Sequence, residues 1–178
     1  MTLGLLILRV VMGLTLAAHG SQKLFGWFEG PGRAGTTGMF TKLGFRRPTT
    51  MALLAGAAEF FGGLLFALGL LTPFAAIALV VVMLNAIVTV HWQKGFFVTA
   101  GGYEYNLVLL TALLLITEQG PGKASLDAAL GIEKSGSGWA IAELAAGAAG
   151  SALSGKLAET AADAPPAEEP VVEYREAA

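Results

Sequence analysis

The chain has 178 residues, 54% of them apolar and only 13% charged, with a net charge of −2 and no cysteine, and a mean hydropathy of +0.65. So little charge cannot clothe a soluble domain of this size, and the balance is that of a membrane protein. The absence of a basic excess excludes nucleic acid as a partner, and the absence of cysteine excludes thiol–disulfide exchange, thiolate metal sites and iron–sulfur clusters.

Four segments are apolar enough to be expected as helices across a bilayer core of about 30 Å: residues 3–20, 51–71, 74–91 and 103–117. The first lies in GLLILRVVMGLTLAAHGSQKLFGWF. It has no basic segment ahead of it and carries Arg9 inside the apolar run, so it reads as a retained helix rather than a signal peptide. Loop one, about residues 21–50, holds five cations (Lys23, Arg33, Lys42, Arg46, Arg47) against Glu29. Its glycine-rich GWFEGPGRAGTTG section suits irregular backbone. MFTKLGFRRP, alternating aromatic and cationic residues, suits either a short element in the headgroup plane or a solvated basic loop. The second span has Glu59 as its one charge. Only Leu71-Thr72-Pro73 separates it from the third, which implies a tight antiparallel hairpin with Pro73 in a first helical turn. The fourth is weakest, because its uninterrupted apolar run is only Leu107 to Ile116; it spans if Tyr103 to Asn106 sit among headgroups or against protein.

Loops one and three carry more Lys and Arg than the other side, which places them in the cytoplasm and both termini outside by the positive-inside rule. After Gly131 the sequence turns to SGSG, an alanine and glycine tract, and DAPPAEEPVVEYREAA. The fold class expected is therefore all-α: an integral membrane four-helix bundle over residues 1–131 with a flexible, largely disordered tail over 132–178. Within that tail, Trp139 to Leu153 is suited to a surface helix but is too poor in large apolar residues for a fifth span.

Measured by helical rise from the loop-one ends of their helices, Arg9 lies about 16 Å deep and Glu59 about 14 Å deep. Charges at such depth need partners, so an Arg9–Glu59 ion pair between the first two spans is expected, as a structural brace or as part of a site. A second group gathers at the loop-one and loop-three end: His19, Gln22, Lys23, His91, Glu104 and Asn106, with Asn85 deeper. With the surrounding aromatic residues they suit either a ligand pocket or an ordinary interface belt. A bis-histidine haem on His19 and His91 is disfavoured by their position at helix ends, and no metal-ligand spacing motif is present.

The sequences LRVVMGLTLAAHGSQKLFGWF, AEFFGGLLFALGLLTPFAA, YEYNLVLL and GPGKASLD occur in order. Together, across about residues 3–130, they resemble the DoxX family of small four-helix bacterial membrane proteins. The resemblance implies a multi-pass protein of the bacterial inner (plasma) membrane. Members are linked to membrane-associated oxidoreductase and oxidative-stress complexes, and relatives form a subunit of thiosulfate:quinone oxidoreductase. The motif positions carried over are Arg9, His19, Gln22, Lys23, Glu59, Glu104 and Asn106.

The function expected is an accessory subunit of a membrane-associated oxidoreductase or respiratory complex. Its partners are the lipid bilayer and other membrane subunits, and a quinone-like ligand would sit at the loop-one and loop-three face. Two other readings stay open: a non-enzymatic scaffold or assembly factor, and a small-solute or proton transporter. The residues assign no catalytic role.

Overall fold

The computed structural model describes residues 3–162, and among these it contains seven α-helices and no strand. They are α1 (Leu3–Phe25), α2 (Gly32–Lys42), α3 (Pro48–Leu68), α4 (Thr72–Ala86), α5 (Glu104–Gln119), α6 (Leu126–Leu130) and α7 (Ser137–Ala162). A π turn, Ile87–His91, and a 3₁₀ turn, Trp92–Lys94, prolong α4, and a second 3₁₀ turn covers Val98–Ala100. Among the described residues three helices are long and apolar enough to cross a membrane: Leu3–Phe25, Pro48–Leu68 and Thr72–Lys94. The fourth expected span corresponds to α5, whose 16 residues reach about 24 Å.

Helices α1 and α3 form the tightest pair, and glycine is the reason. A Cβ on Gly20 would stand 2.2 Å from the Phe60 backbone nitrogen, and one on Gly13 would stand 2.5 Å from that of Ala67. The small residues let two backbones touch, which is how helices associate where lipid supplies no hydrophobic drive. These contacts also set the register. Gly13 faces Gly63 and Ala67, and Gly20 faces Gly56 and Phe60, so Arg9 falls level with Gly69 while Glu59 falls level with the last turns of α1.

The α3–α4 hairpin is as tight as Leu71-Thr72-Pro73 implies. Gly69 (φ 62°) and Leu71 (φ 51°) turn the chain in the left-handed region, where glycine is at ease and leucine is not. What holds Leu71 there comes from 56 residues downstream: Asp127 accepts from Leu71 N at 2.7 Å, Thr72 N at 2.9 Å and Thr72 Oγ1 at 2.7 Å. The carboxylate thus caps the N-terminus of α4 in place of a local residue. Arg9, buried beside this turn, donates to the carbonyls of Pro121 and Ala124. The core proper lies between α1, α3, α4 and α5, around Leu16, Phe66, Leu79, Leu113 and Ile116.

The chain differs from expectation in three places. The first helix continues five residues past Gly20, to Phe25, because Gly26 (φ 73°) is the first residue to leave helical backbone. Loop one contains α2, whose residues 32–38 come from the glycine-rich section expected to be irregular and whose residues 39–42 open the aromatic and cationic section, and it packs on α3 and α1. The expected disordered tail contains α7, 26 residues long, lying along α4 and α5; residues 163–178 are outside the described part.

Helix α7 runs in the same direction as α4. Trp139 meets Phe74 edge to face, Gly147 lies against Val80, Gly150 against Val81, and Ser151 and Ser154 reach Asn85. Its small residues admit the valine side chains of α4, so that a surface too weakly apolar to be read as a span is nonetheless a close-packing one.

Candidate functional site

A cavity of about 340 Å³ opens between α2, α3, α4 and α7. One wall is α2 and the turn after it, with Met39, Phe40, Leu43 and Phe45. The others are apolar and small residues of α3 and α4, including Ala55, Ala58, Ala78 and Val82. Four polar residues interrupt this lining: Lys23 from α1, Asn85 and Thr89 from α4 and its π turn, and Ser154 from α7. Phe40 and Phe45, with ring centroids 5.0 Å apart, stiffen the α2 wall.

Lys23 is positioned by its charge. It bonds Glu59 Oε2, and the carboxylate side chain is only 3% exposed while the lysine is 23% exposed. The acid is therefore buried behind its partner, and Lys23, which lines the cavity, keeps two further N–H donors on its ammonium. A buried carboxylate without such a cation would be strongly destabilising. At the other wall, Asn85 Oδ1 accepts from Ser151 at 3.2 Å and Ser154 at 2.7 Å. Those hydroxyls define the amide orientation and leave its NH₂ for the cavity. Thr89 gives its proton to the Asn85 backbone carbonyl at 2.8 Å and keeps its lone pairs. An apolar chamber with donors at two walls and acceptors at one suits an uncharged ring or chain bearing oxygen functions.

Of the residues expected to gather at this end, Lys23 and the deeper Asn85 line this cavity, and the others do not. Gln22, beside it, donates to Phe28 O at 3.4 Å and supports the close turn of Gly30. His19 is on the exposed face of α1. His91 and Glu104 are brought together in a separate structure, the clasp that closes loop three. There the His91 ring nitrogen Nδ1 lies 2.6 Å from Gly101 O, Glu104 accepts from Val98 N at 3.0 Å, and Tyr103 stacks on Trp92 at 5.4 Å. Asn106 is buried in the core with Nδ2 3.5 Å from Met83 Sδ.

The expected Arg9–Glu59 pair is corrected: Glu59 bonds Lys23, and Arg9 bonds backbone carbonyls at the opposite end of α1. Arg9 and Glu59 share one depth only if the loop-one ends of the two helices lie in one plane. In the structure α1 runs on to Phe25 and α3 starts beyond it, at Pro48, which slides the register by almost three turns. The sequence also left out the α2 wall and Ser154. The signals were the paired serines, Ser151 and Ser154, three apart in an alanine tract, and the lone Asn85 in a long apolar run.

One more buried acid stands apart. Glu143 of α7 is fully buried with Thr117 of α5 as its side-chain hydrogen-bonding neighbour, and neither side chain has another partner among the described residues. Among the described residues, no three His, Asp or Glu side chains are placed to hold a metal ion.

Comparison with known proteins agrees with this architecture. The DoxX family model matches residues 4–92. An uncharacterised membrane protein of Mycobacterium tuberculosis is 33% identical over 133 residues, covering 69% of this chain and 78% of the relative. CatD of Bacillus subtilis, provisionally named an oxidoreductase, is 31% identical over 125 residues, covering 70% of this chain and 85% of the relative. No solved structure matches. The matched segment contains α1, α2, α3 and α4, and with them Lys23, Glu59, Asn85 and most of the cavity wall: the chain belongs to the DoxX family.

Proposed function

We propose that this DoxX protein is an accessory subunit of a membrane-bound redox assembly, and that its cavity holds a quinone-like ligand. In this reading α1, α3, α4 and α5 form the four-helix membrane core, in a bacterial plasma membrane, with other membrane subunits as partners. The observation that carries it is the chamber itself: about 340 Å³, lined almost wholly by apolar side chains, with Lys23 and Asn85 as its donors. Its size lies in the range typical of small-molecule sites, about 300–1,000 Å³. A quinone supplies two-electron redox chemistry when bound. The protein's part is to seat an apolar ring among Phe40, Phe45 and Val82, and to offer N–H donors to ring carbonyls. The provisional naming of CatD as an oxidoreductase supports a redox setting.

The reading relocates the expected ligand contacts. Lys23 remains one, Asn85 joins it, and His91 and Glu104 hold the loop-three clasp instead.

The test is to release the protein from its native membrane into lipid nanodiscs and measure extracted quinone per chain, for the natural sequence and for Ala78→Phe. The substituted ring would fill the chamber without touching the Lys23–Glu59 bond. Near-stoichiometric quinone that falls at least tenfold in Ala78→Phe is the expected result. Equal quinone in both, or partner subunits recovered with no quinone in either, would replace this reading with that of a scaffold.

A further inference from the structure

Loop one presents four exposed cations, Arg33, Lys42, Arg46 and Arg47. Among the described residues none of the four has an acidic partner, and the loop's own single acid, Glu29, precedes them. They border the cavity, because Leu43 and Phe45, which line it, lie between Lys42 and Arg46. Such a patch calls for an anionic occupant.

The course of α7 says which. The helix starts beside Phe74, near the N-terminus of α4, and reaches Asn85 at Ser154. The same cavity is lined by Ser154, by Asn85 and Val90, and by Met39 to Phe45 of loop one. The late part of α7, the late part of α4 and the α2 region therefore share one end of the molecule. From Ser154 the helix continues eight residues to Ala162, about 12 Å further, and so it delivers the chain to the loop-one face. Beyond Ala162 the sequence is DAPPAEEPVVEYREAA, with Asp163, Glu168, Glu169, Glu173 and Glu176 against Arg175 alone.

We infer that α7 carries the C-terminal segment back to the loop-one side, and that its acidic residues 163–178 dock on the Lys42, Arg46 and Arg47 patch beside the cavity. The chain thereby supplies its own counter-charge. Sixteen residues beyond Ala162 span up to about 50 Å extended, more than the width of one helix pair, so reach is not limiting. The attraction is between exposed groups and is weakened by salt. On this inference the C-terminal segment lies on the loop-one side, opposite the start of α1, in place of the arrangement expected from four spans, with both termini on one side.

The absence of native cysteine allows a direct test with the full-length protein in zwitterionic nanodiscs. Cysteines at Thr49 and Ala167 would be joined by a short bis-maleimide at low salt. Arg46→Glu with Arg47→Glu should reduce that crosslink at least fivefold, and adding Glu168→Lys with Glu169→Lys should restore it. In sealed, oriented vesicles an impermeant maleimide should reach cysteines at Thr49 and at Tyr174 from the same side. Labelling from opposite sides would overturn the inference. So would a crosslink that is absent, or one indifferent to charge reversal, which would leave anionic lipid headgroups as the patch's occupant.

Discussion

Lys23 and Glu59 act as one unit. The lysine is half-wet and the carboxylate is not, so the two single substitutions differ in kind. Lys23→Met strands a buried negative charge, and a loss of about 3–5 kcal/mol is expected from breaking such a pair. Lys23→Met combined with Glu59→Leu removes the charge as well and should recover most of that loss. Unfolding in mild detergent, monitored by circular dichroism, gives the four corners of the cycle. Gly20 makes a different point at the same scale. Its would-be Cβ collides with the backbone of Phe60, whereas Gly38, inside α2, has nothing within 4 Å. Gly20→Ala should therefore push α1 from α3 and cost about 1–3 kcal/mol, while Gly38→Ala should be neutral or slightly stabilising through helix propensity. Thermal midpoints of the two variants check both signs.

Single elements show what a sequence does and does not disclose. The α3–α4 hairpin was legible because its information is local: three residues and a proline leave one geometry. The carboxylate that caps it was not, since Asp127 comes from a segment 56 residues on, and no pattern of spacing brings it to Leu71. Asp127→Ala should cost about 1–2 kcal/mol, the upper range for a lost cap, and Asp127→Asn, which keeps one acceptor, should cost less; hydrogen exchange at Leu71 and Thr72 localises the effect. Helix α7 was hidden for another reason. Alanine, glycine and serine score as weakly apolar, yet Gly147 and Gly150 receive Val80 and Val81, and packing rather than hydropathy holds the helix. Among the described side chains of α7, Glu143 works against docking. With Thr117 of α5 as its one side-chain neighbour for hydrogen bonding, Glu143→Met combined with Thr117→Val should raise stability by about 1–3 kcal/mol, the cost of buried, poorly satisfied polar groups, read as an increased unfolding midpoint.

For the whole molecule, the question is what α7 contributes beyond the family-matched residues 4–92. In water, removing a helix from α4 would expose a large apolar face and unfold the protein. In a bilayer, lipid tails replace it at little hydrophobic cost, and only packing contacts and interhelical hydrogen bonds are lost. Truncation after Gly136 should therefore leave a membrane-inserted, monodisperse protein whose thermal midpoint falls by several degrees. The cavity fares worse, because Ser154 leaves its wall and both hydroxyls leave Asn85. The chamber then opens sideways to lipid and Asn85 regains free rotation, so the quinone retention proposed for it should drop at least tenfold. Truncation after Ala162 is the matching control: it keeps α7 and both serine contacts, and should keep the ligand. Parallel quantification of extracted quinone from the two truncations separates the contribution of α7 from that of the residues after Ala162.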